Sequence, residues 1–184
     1  MPGQQTIVAL GDSLTYGFPY SPDRSWVQLS AAELGITLLN RGVNGDTTAG
    51  MLRRFSGDVL ACQPSHVIIL GGTNDIFERI DAENAVHHIR LMAQMARKRS
   101  VVPFIGLPPP CCFIEAQLAN YRQALRQYAV DAAVELIDFY TPLLSPDGWG
   151  TGPGLDIDGV HPSETGYRLM AAAAVGFLRR RICG

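Results

Sequence analysis

Five short runs of β-branched and apolar residues, each followed by a longer stretch of helical periodicity, constrain this chain more than any other feature. The runs fall near 6 to 10, 36 to 40, 66 to 71, 101 to 107 and 134 to 139; the helical stretches fall near 24 to 34, 48 to 61, 81 to 98, 115 to 132 and 163 to 181. Such alternation reads as an α/β fold with a five-stranded parallel sheet, covered on both faces as a three-layer α/β/α sandwich. Right-handed crossovers leave few topologies for five such units, and the flavodoxin-like strand order 2-1-3-4-5 is expected. In the stretch from 81 to 98, Ala85, Ile89, Met92 and Ala96 recur at helical spacing. Asp81 is placed to cap that helix, and Glu83, His87, Arg90 and Gln94 form its solvated face. With no linker, repeat or low-complexity tract, the 184 residues are expected to form a single domain, 1–184.

In open sheets of this kind, ligands bind beyond the carboxyl ends of the strands. The segment Leu10-Gly11-Asp12-Ser13-Leu14-Thr15-Tyr16-Gly17 delivers a serine at the end of the run Ile7-Val8-Ala9-Leu10. Asn44-Gly45-Asp46-Thr47-Thr48 follows the second run, and Gly71-Gly72-Thr73-Asn74-Asp75 follows the third. Ser13, Gly45 and Asn74 therefore converge on one crevice, with Pro108-Pro109-Pro110 on the same rim. A serine hydroxyl is a poor nucleophile until a base, an orienting group and oxyanion donors surround it. His161, in Asp158-Gly159-Val160-His161-Pro162, is the candidate base. His66 opens a strand, and His87 and His88 face different directions on a helix. Pro162 biases His161 toward extended backbone, Ser163 caps the helix that follows, and Asp158 lies within reach of the imidazole Nδ1, with Asp156 as a rival. Read singly, each block also has an ordinary explanation: a turn or cap serine, an Asn-Gly turn, a loop-capping Asn.

Together, in this order and spacing, the blocks resemble the SGNH (GDSL-type) hydrolase family, named for one Ser, Gly, Asn and His in four blocks. The resemblance runs from Gly11 to Pro162. It implies a serine hydrolase of carboxylic esters or thioesters, with Ser13 as nucleophile, His161 as base and Asp158, at the family's D-x-x-H spacing, as orienter. It assigns the oxyanion hole to the backbone N–H groups of Ser13 and Gly45 and the side-chain amide of Asn74. Those residue types suit the role, since glycine lets a substrate approach its N–H and an amide donates without titrating. Activity is expected to be lost at acid pH as His161 takes up a proton. The G-D-T-T continuation after Asn44 is similar to the esterase, lysophospholipase and thioesterase branch. Position 15 is Thr, so G-x-S-x-G is absent and the α/β-hydrolase fold is set aside. Asp12 reads as a brace for the turn, Asp46, Thr47 and Thr48 as helix caps, and Asp75 as a structural acceptor.

Phe18, Pro19, Tyr20, Ile76, Phe77, Phe113, Trp149, Leu155 and Ile157 flank the blocks. They are either rim or ordinary packing; as rim they favour short to medium acyl chains over a bare sugar, in an open, shallow site. A carbohydrate O-acetylesterase would use the same residues. A flavodoxin-like binding module would instead cradle an anion with Ser13, Thr15 and Gly17, leaving the D-x-x-H loop unexplained. Net charge is −2, and the 15 basic residues include one lysine, Lys98. Arg97-Lys98-Arg99 and Arg179-Arg180-Arg181 close helical stretches, where cations suit the helix dipole, so no nucleic-acid partner is expected. No cofactor and no metal are expected, because no ligand spacing appears beyond the D-x-x-H pair. Cys62, Cys111, Cys112 and Cys183 read as reduced thiols of a cytoplasmic protein, Cys111 and Cys112 being plain loop thiols on the rim. The N-terminal stretch lacks a signal-peptide pattern, and no run approaches the ~20 apolar residues of a membrane span. The expected partner is a small-molecule ester.

Overall fold

How apolar each strand is follows from where it lies in the sheet. The computed structural model describes residues 5–145, 154–155 and 158–182. Its strands are β1 (Thr6–Gly11), β2 (Thr37–Gly42), β3 (His66–Leu70), β4 (Val102–Leu107) and β5 (Glu135–Asp138). They pair in parallel in the order β2-β1-β3-β4-β5, the order expected from the alternation. The interior strands β1, β3 and β4 are nearly continuous buried runs, whereas the edge strands β2 and β5 carry half-exposed polar residues. That contrast is what a sheet covered on both faces requires.

Among the described residues, seven helices surround it: α1 (Ser13–Tyr16), α2 (Trp26–Leu34), α3 (Thr48–Asp58), α4 (Thr73–Phe77), α5 (Ala82–Arg97), α6 (Glu115–Ala132) and α7 (Glu164–Ile182). Successive strand side chains point to opposite faces. Val8, Leu10, Val67 and Ile69 accordingly join Met51, Phe55, Ile89, Met92 and Tyr121 in one core, under α3, α5 and α6. Ile7, Ala9, Ile68 and Leu70 join Trp26, Phe139, Tyr167 and Met170 in the other, under α2 and α7. Helix starts are set by local caps: Ser25, Thr47 and Asp81 accept from Gln28, Gly50 and Glu83 N–H, and Ser163 Oγ accepts from Gly166 N–H at 3.1 Å.

The two basic runs have structural partners. Arg97 donates to the carbonyls of Ala132 and Ala133 at the end of α6, at 2.8 and 2.9 Å. Arg179 pairs with Glu33 at 3.1 Å and Arg181 with Glu135, tying α7 to α2 and to the sheet edge. The ends of two helices differ from the sequence reading. The stretch read as helix to residue 61 stops at Asp58, followed by a 3₁₀ turn over Leu60–Cys62. The stretch read as helix from 24 starts at Trp26, because Ser25 takes the cap. No helix among the described residues is long and apolar enough to cross a membrane.

Candidate active site

Strand register brings the three loops together. Gly11 is in register with Gly42 on one side and Leu70 on the other. Ser13, Gly45 and Asn74 follow these residues by two, three and four positions, so they share one end of the sheet at the point where strand order reverses. Ser13 opens α1. Asp12 caps that helix, its Oδ1 accepting from Leu14 N–H at 2.9 Å, and Gly17 ends it at φ 112°. Ser13 N–H is thus one of the first amides of a helix, which have no acceptor within it.

The loop after residue 158 supplies the rest. Ser13 Oγ lies 3.0 Å from His161 Nε2, and His161 Nδ1 lies 2.6 Å from Asp158 Oδ2. Asp158 Oδ1 accepts from the N–H groups of Val160 and His161, both at 2.9 Å, which folds the D-x-x-H segment around its own carboxylate. Partial burial pushes the Asp158 carboxyl up, but the His161 N–H, the His161 ring and the Val160 N–H outweigh it and hold the group below the usual range. An ionised Asp158 can only accept, so Nδ1 carries the ring proton and Nε2 presents a lone pair to the serine hydroxyl. The loop is pinned by the Leu155–Pro162 bridge and by Cys112 N–H donating to Gly159 O at 3.0 Å. Phe18 packs edge-on against the imidazole with centroids 4.6 Å apart.

Gly45 has φ +75° and nothing within 4 Å of where a Cβ would stand, so the position needs glycine and faces open space. Asn74 donates one amide hydrogen to Asp46 O at 2.9 Å, which fixes the amide plane and leaves the second hydrogen for another acceptor. Asp75 is buried and accepts from Thr48 N–H at 2.9 Å and Thr48 Oγ1 at 2.5 Å, the structural role expected of it. The hydroxyl proton of Thr48 being spent there, His88 Nδ1 donates to Thr48 Oγ1 at 2.9 Å.

Several expectations are corrected. Of Asp46, Thr47 and Thr48, only Thr47 caps α3 through its side chain. Asp46 instead pairs with Arg54 of α3 at 2.7 Å, and Thr48 bonds Asp75 of α4, because partners on those helices claim both side chains. Thr15 is fully buried, so the anion cradle of Ser13, Thr15 and Gly17 is not formed. Cys111 belongs to the core, leaving Cys112 as the exposed thiol of the pair. Ile76 is buried and Leu155 packs on the second core; Phe18, Phe77 and Phe113 are exposed. Asp156, Trp149, Ile157 and Cys183 lie outside the described residues. Among the described residues, no three His, Cys, Asp or Glu side chains gather as a metal site would.

Sequence reasoning missed Asn40, whose Nδ2 donates to Thr15 O at 2.9 Å, Tyr16 O at 3.2 Å and Ser25 Oγ at 3.2 Å, bracing the serine turn. It also missed Tyr167, whose hydroxyl donates to Phe18 O at 2.7 Å, and Arg54. Only Arg54 left a signal: it stands one helical turn before Asp58, an oppositely charged pair on one face.

Asp12 gives a test of the site's electrostatics. Burial pushes its carboxyl up to about 7; the bond from Leu14 N–H lowers it, and Asp75 and Asp46 raise it further. Oδ2 has no partner. A carboxyl that holds its proton to about pH 7 folded, against 3.8 unfolded, contributes stability that is complete below the lower value and lost as pH rises through the higher. An amide stays neutral throughout. The melting temperature of D12N minus that of the wild type is therefore expected to rise between pH 5 and pH 8; a difference independent of pH would refute the buried-carboxyl account.

The model of the GDSL-like lipase/acylhydrolase family matches residues 9–169. An acetylxylan esterase of Geobacillus stearothermophilus is 28% identical over 163 residues, 80% of this chain and 73% of its own. The uncharacterized lipoprotein YqeF of Bacillus subtilis strain 168 is 31% identical over 116 residues, 56% of this chain and only 48% of its own. Among solved structures, one described as a lipolytic protein of the G-D-S-L family from Desulfitobacterium hafniense DCB-2 superposes with a TM-score of 0.88 at 30% identity, covering 94% of this chain and 98% of that one.

Proposed function

The chain belongs to the GDSL-like lipase/acylhydrolase family, and from that premise we propose that it hydrolyses carboxylic esters through an acyl-enzyme on Ser13. One observation carries the reading: the continuous line from Ser13 Oγ through the two nitrogens of His161 to Asp158, at 3.0 and 2.6 Å. Neutral His161 takes the Ser13 proton on Nε2 as Oγ attacks the ester carbon. The oxygen of the tetrahedral intermediate takes hydrogen bonds from Ser13 N–H, Gly45 N–H and the second Asn74 amide hydrogen. Collapse breaks the bond to the alcohol, which leaves with the proton from His161. Water then gives its proton to Nε2, attacks the acyl carbon, and the proton returns to Ser13. Asp158 stays ionised throughout and stabilises the imidazolium.

The exposed rings of Phe18, Phe77 and Phe113 on this end of the sheet support acyl groups of short to medium length. Thioesters fit the same chemistry. The thiols of Cys62 and Cys111, neither of them in a disulfide, support a reducing, cytoplasmic setting. A second reading, removal of acetyl groups from carbohydrate, is favoured by the similarity to the acetylxylan esterase.

A fluorophosphonate is expected to label the wild-type protein covalently at Ser13, read by peptide mass, with hydrolysis of p-nitrophenyl butyrate lost in proportion. Label on any other residue, or full activity after labelling, would sink the mechanism. Faster turnover of acetylated xylan than of p-nitrophenyl butyrate would move the assignment to the second reading.

A further inference from the structure

Arg54 bonds both to the strand end that leads into the nucleophile turn and to the loop of the Gly45 donor. It lies on α3 with its side chain 19% exposed, and its donors turn inward. Nε donates to Asp46 Oδ2 at 2.7 Å and Nη2 to Gly11 O at 2.8 Å. Nη1 donates to Arg41 O at 2.9 Å and to Asp58 Oδ2 at 2.7 Å. Gly11 is the last residue of β1 before Asp12 and Ser13. Arg41 stands at the end of β2, where the Gly45 loop departs. Asp46 follows Gly45 directly, and its carbonyl takes the Asn74 amide at 2.9 Å.

We propose that Arg54 is a positioning residue: its guanidinium sets the offset between the strand end carrying Ser13 and the loop carrying Gly45 and, through Asp46, the amide of Asn74. The inference rests on the roles proposed above for those three residues. A planar group with donors in a rigid fork fixes relative position as a lysine cannot, since an ammonium rotates about its stem and cannot reach Gly11 O and Asp46 in one plane. Charge acts in the same direction. Asp46 is close enough to Asp12 to raise its carboxyl, and the guanidinium balances that carboxylate beside a site where an oxyanion must form. Because the affected groups are needed in the transition state, the effect falls on kcat rather than on KM.

The variants are R54A, R54K and, as a control, D58N, which removes the charge of the ion pair within α3 and touches neither loop. With p-nitrophenyl butyrate, R54A is expected to lose about ten- to a hundredfold in kcat, the range for a misplacement of catalytic groups by up to ~1 Å, with KM within about twofold. Guanidinium chloride at low millimolar concentration is expected to restore part of the R54A loss and to leave the wild type unchanged. R54K, which keeps the charge but not the fork, is expected to stay at least about fivefold down in kcat. D58N is expected to lower the melting temperature and keep wild-type kcat. R54A or R54K at wild-type kcat, or D58N falling with them in kcat, would make Arg54 an ordinary brace of α3 and overturn the proposal. If R54A does not fold, the kcat of R54K against D58N decides alone. Wild-type labelling at Ser13 separates the two ideas: an unlabelled wild type counts against the hydrolase mechanism, a labelled one with fully active Arg54 variants against Arg54 only.

Discussion

Replacing His161 with Ala is expected to lower kcat by roughly four to six orders of magnitude, the range seen when a triad base is removed from a serine hydrolase. At 1.36 kcal/mol per factor of ten this is about 5 to 8 kcal/mol of transition-state stabilisation. The size of the effect follows from what is left behind. Ser13 Oγ has its hydrogen-bond partner in His161 Nε2 at 3.0 Å, and no other described base is placed to replace it. Asp12, its neighbour in sequence, is fully buried and directs Oδ1 at Leu14 N–H. His88 is committed to Thr48 and His66 stacks on Phe104.

What remains is the proposed oxyanion hole, which acts without the base and is expected to keep H161A above the rate in water. KM is expected to change little, since the imidazole acts on the proton and not on the acyl chain. Loss of the ring also removes the edge contact with Phe18, so KM for longer acyl chains is the place to look for a secondary change. Turnover of H161A within tenfold of the wild type, with unchanged circular dichroism, would remove His161 from the mechanism.

The parts of this site that sequence exposed are those whose signal is local or periodic. Ile7 to Leu10 and Val67 to Leu70 are buried on both faces, and a run without polar residues can sit only inside such a sheet. Once the strand order follows, Ser13, Gly45 and Asn74 must gather at one end. The D-x-x-H loop closes on itself within four residues, so its contacts needed no tertiary knowledge. Helices α1 and α4 were not foreseen, because four and five residues are too few to set up a 3.6-residue period. In Asn44-Gly45-Asp46-Thr47-Thr48, three capping residue types stand in a row and composition cannot choose among them. The choice is made by partners far along the chain: Arg54 draws Asp46, and Asp75 draws Thr48. Arg54 and Asn40 were hidden for the same reason, since what they hold is backbone carbonyls, and a carbonyl leaves no mark on sequence.

Asp158→Asn is the sharper test, because it changes one proton and almost no shape. In the wild type, Oδ1 holds the N–H groups of Val160 and His161 while Oδ2 accepts from Nδ1. An asparagine keeps the first arrangement only by placing its carbonyl oxygen on those two amides, which turns its NH₂ toward the imidazole. A donor at that position needs a lone pair on Nδ1, so the ring proton moves to Nε2, and Nε2 no longer accepts from Ser13. The loop stays folded and the base is in the wrong tautomer. The expected loss in kcat is about 10³ to 10⁴, as for the equivalent change in a serine protease. The lower end is favoured here, because the Asp158 side chain is 43% exposed and water can compete for Nδ1. The same argument bears on the pH dependence: the wild-type carboxyl is held below its usual range, so Asp158 remains ionised and keeps accepting from Nδ1 well into acid solution. In D158N the remaining activity is expected to rise with pH above neutrality, as hydroxide replaces the missing base. A D158N enzyme with wild-type kcat and an unchanged pH profile would mean that the 2.6 Å contact orients nothing.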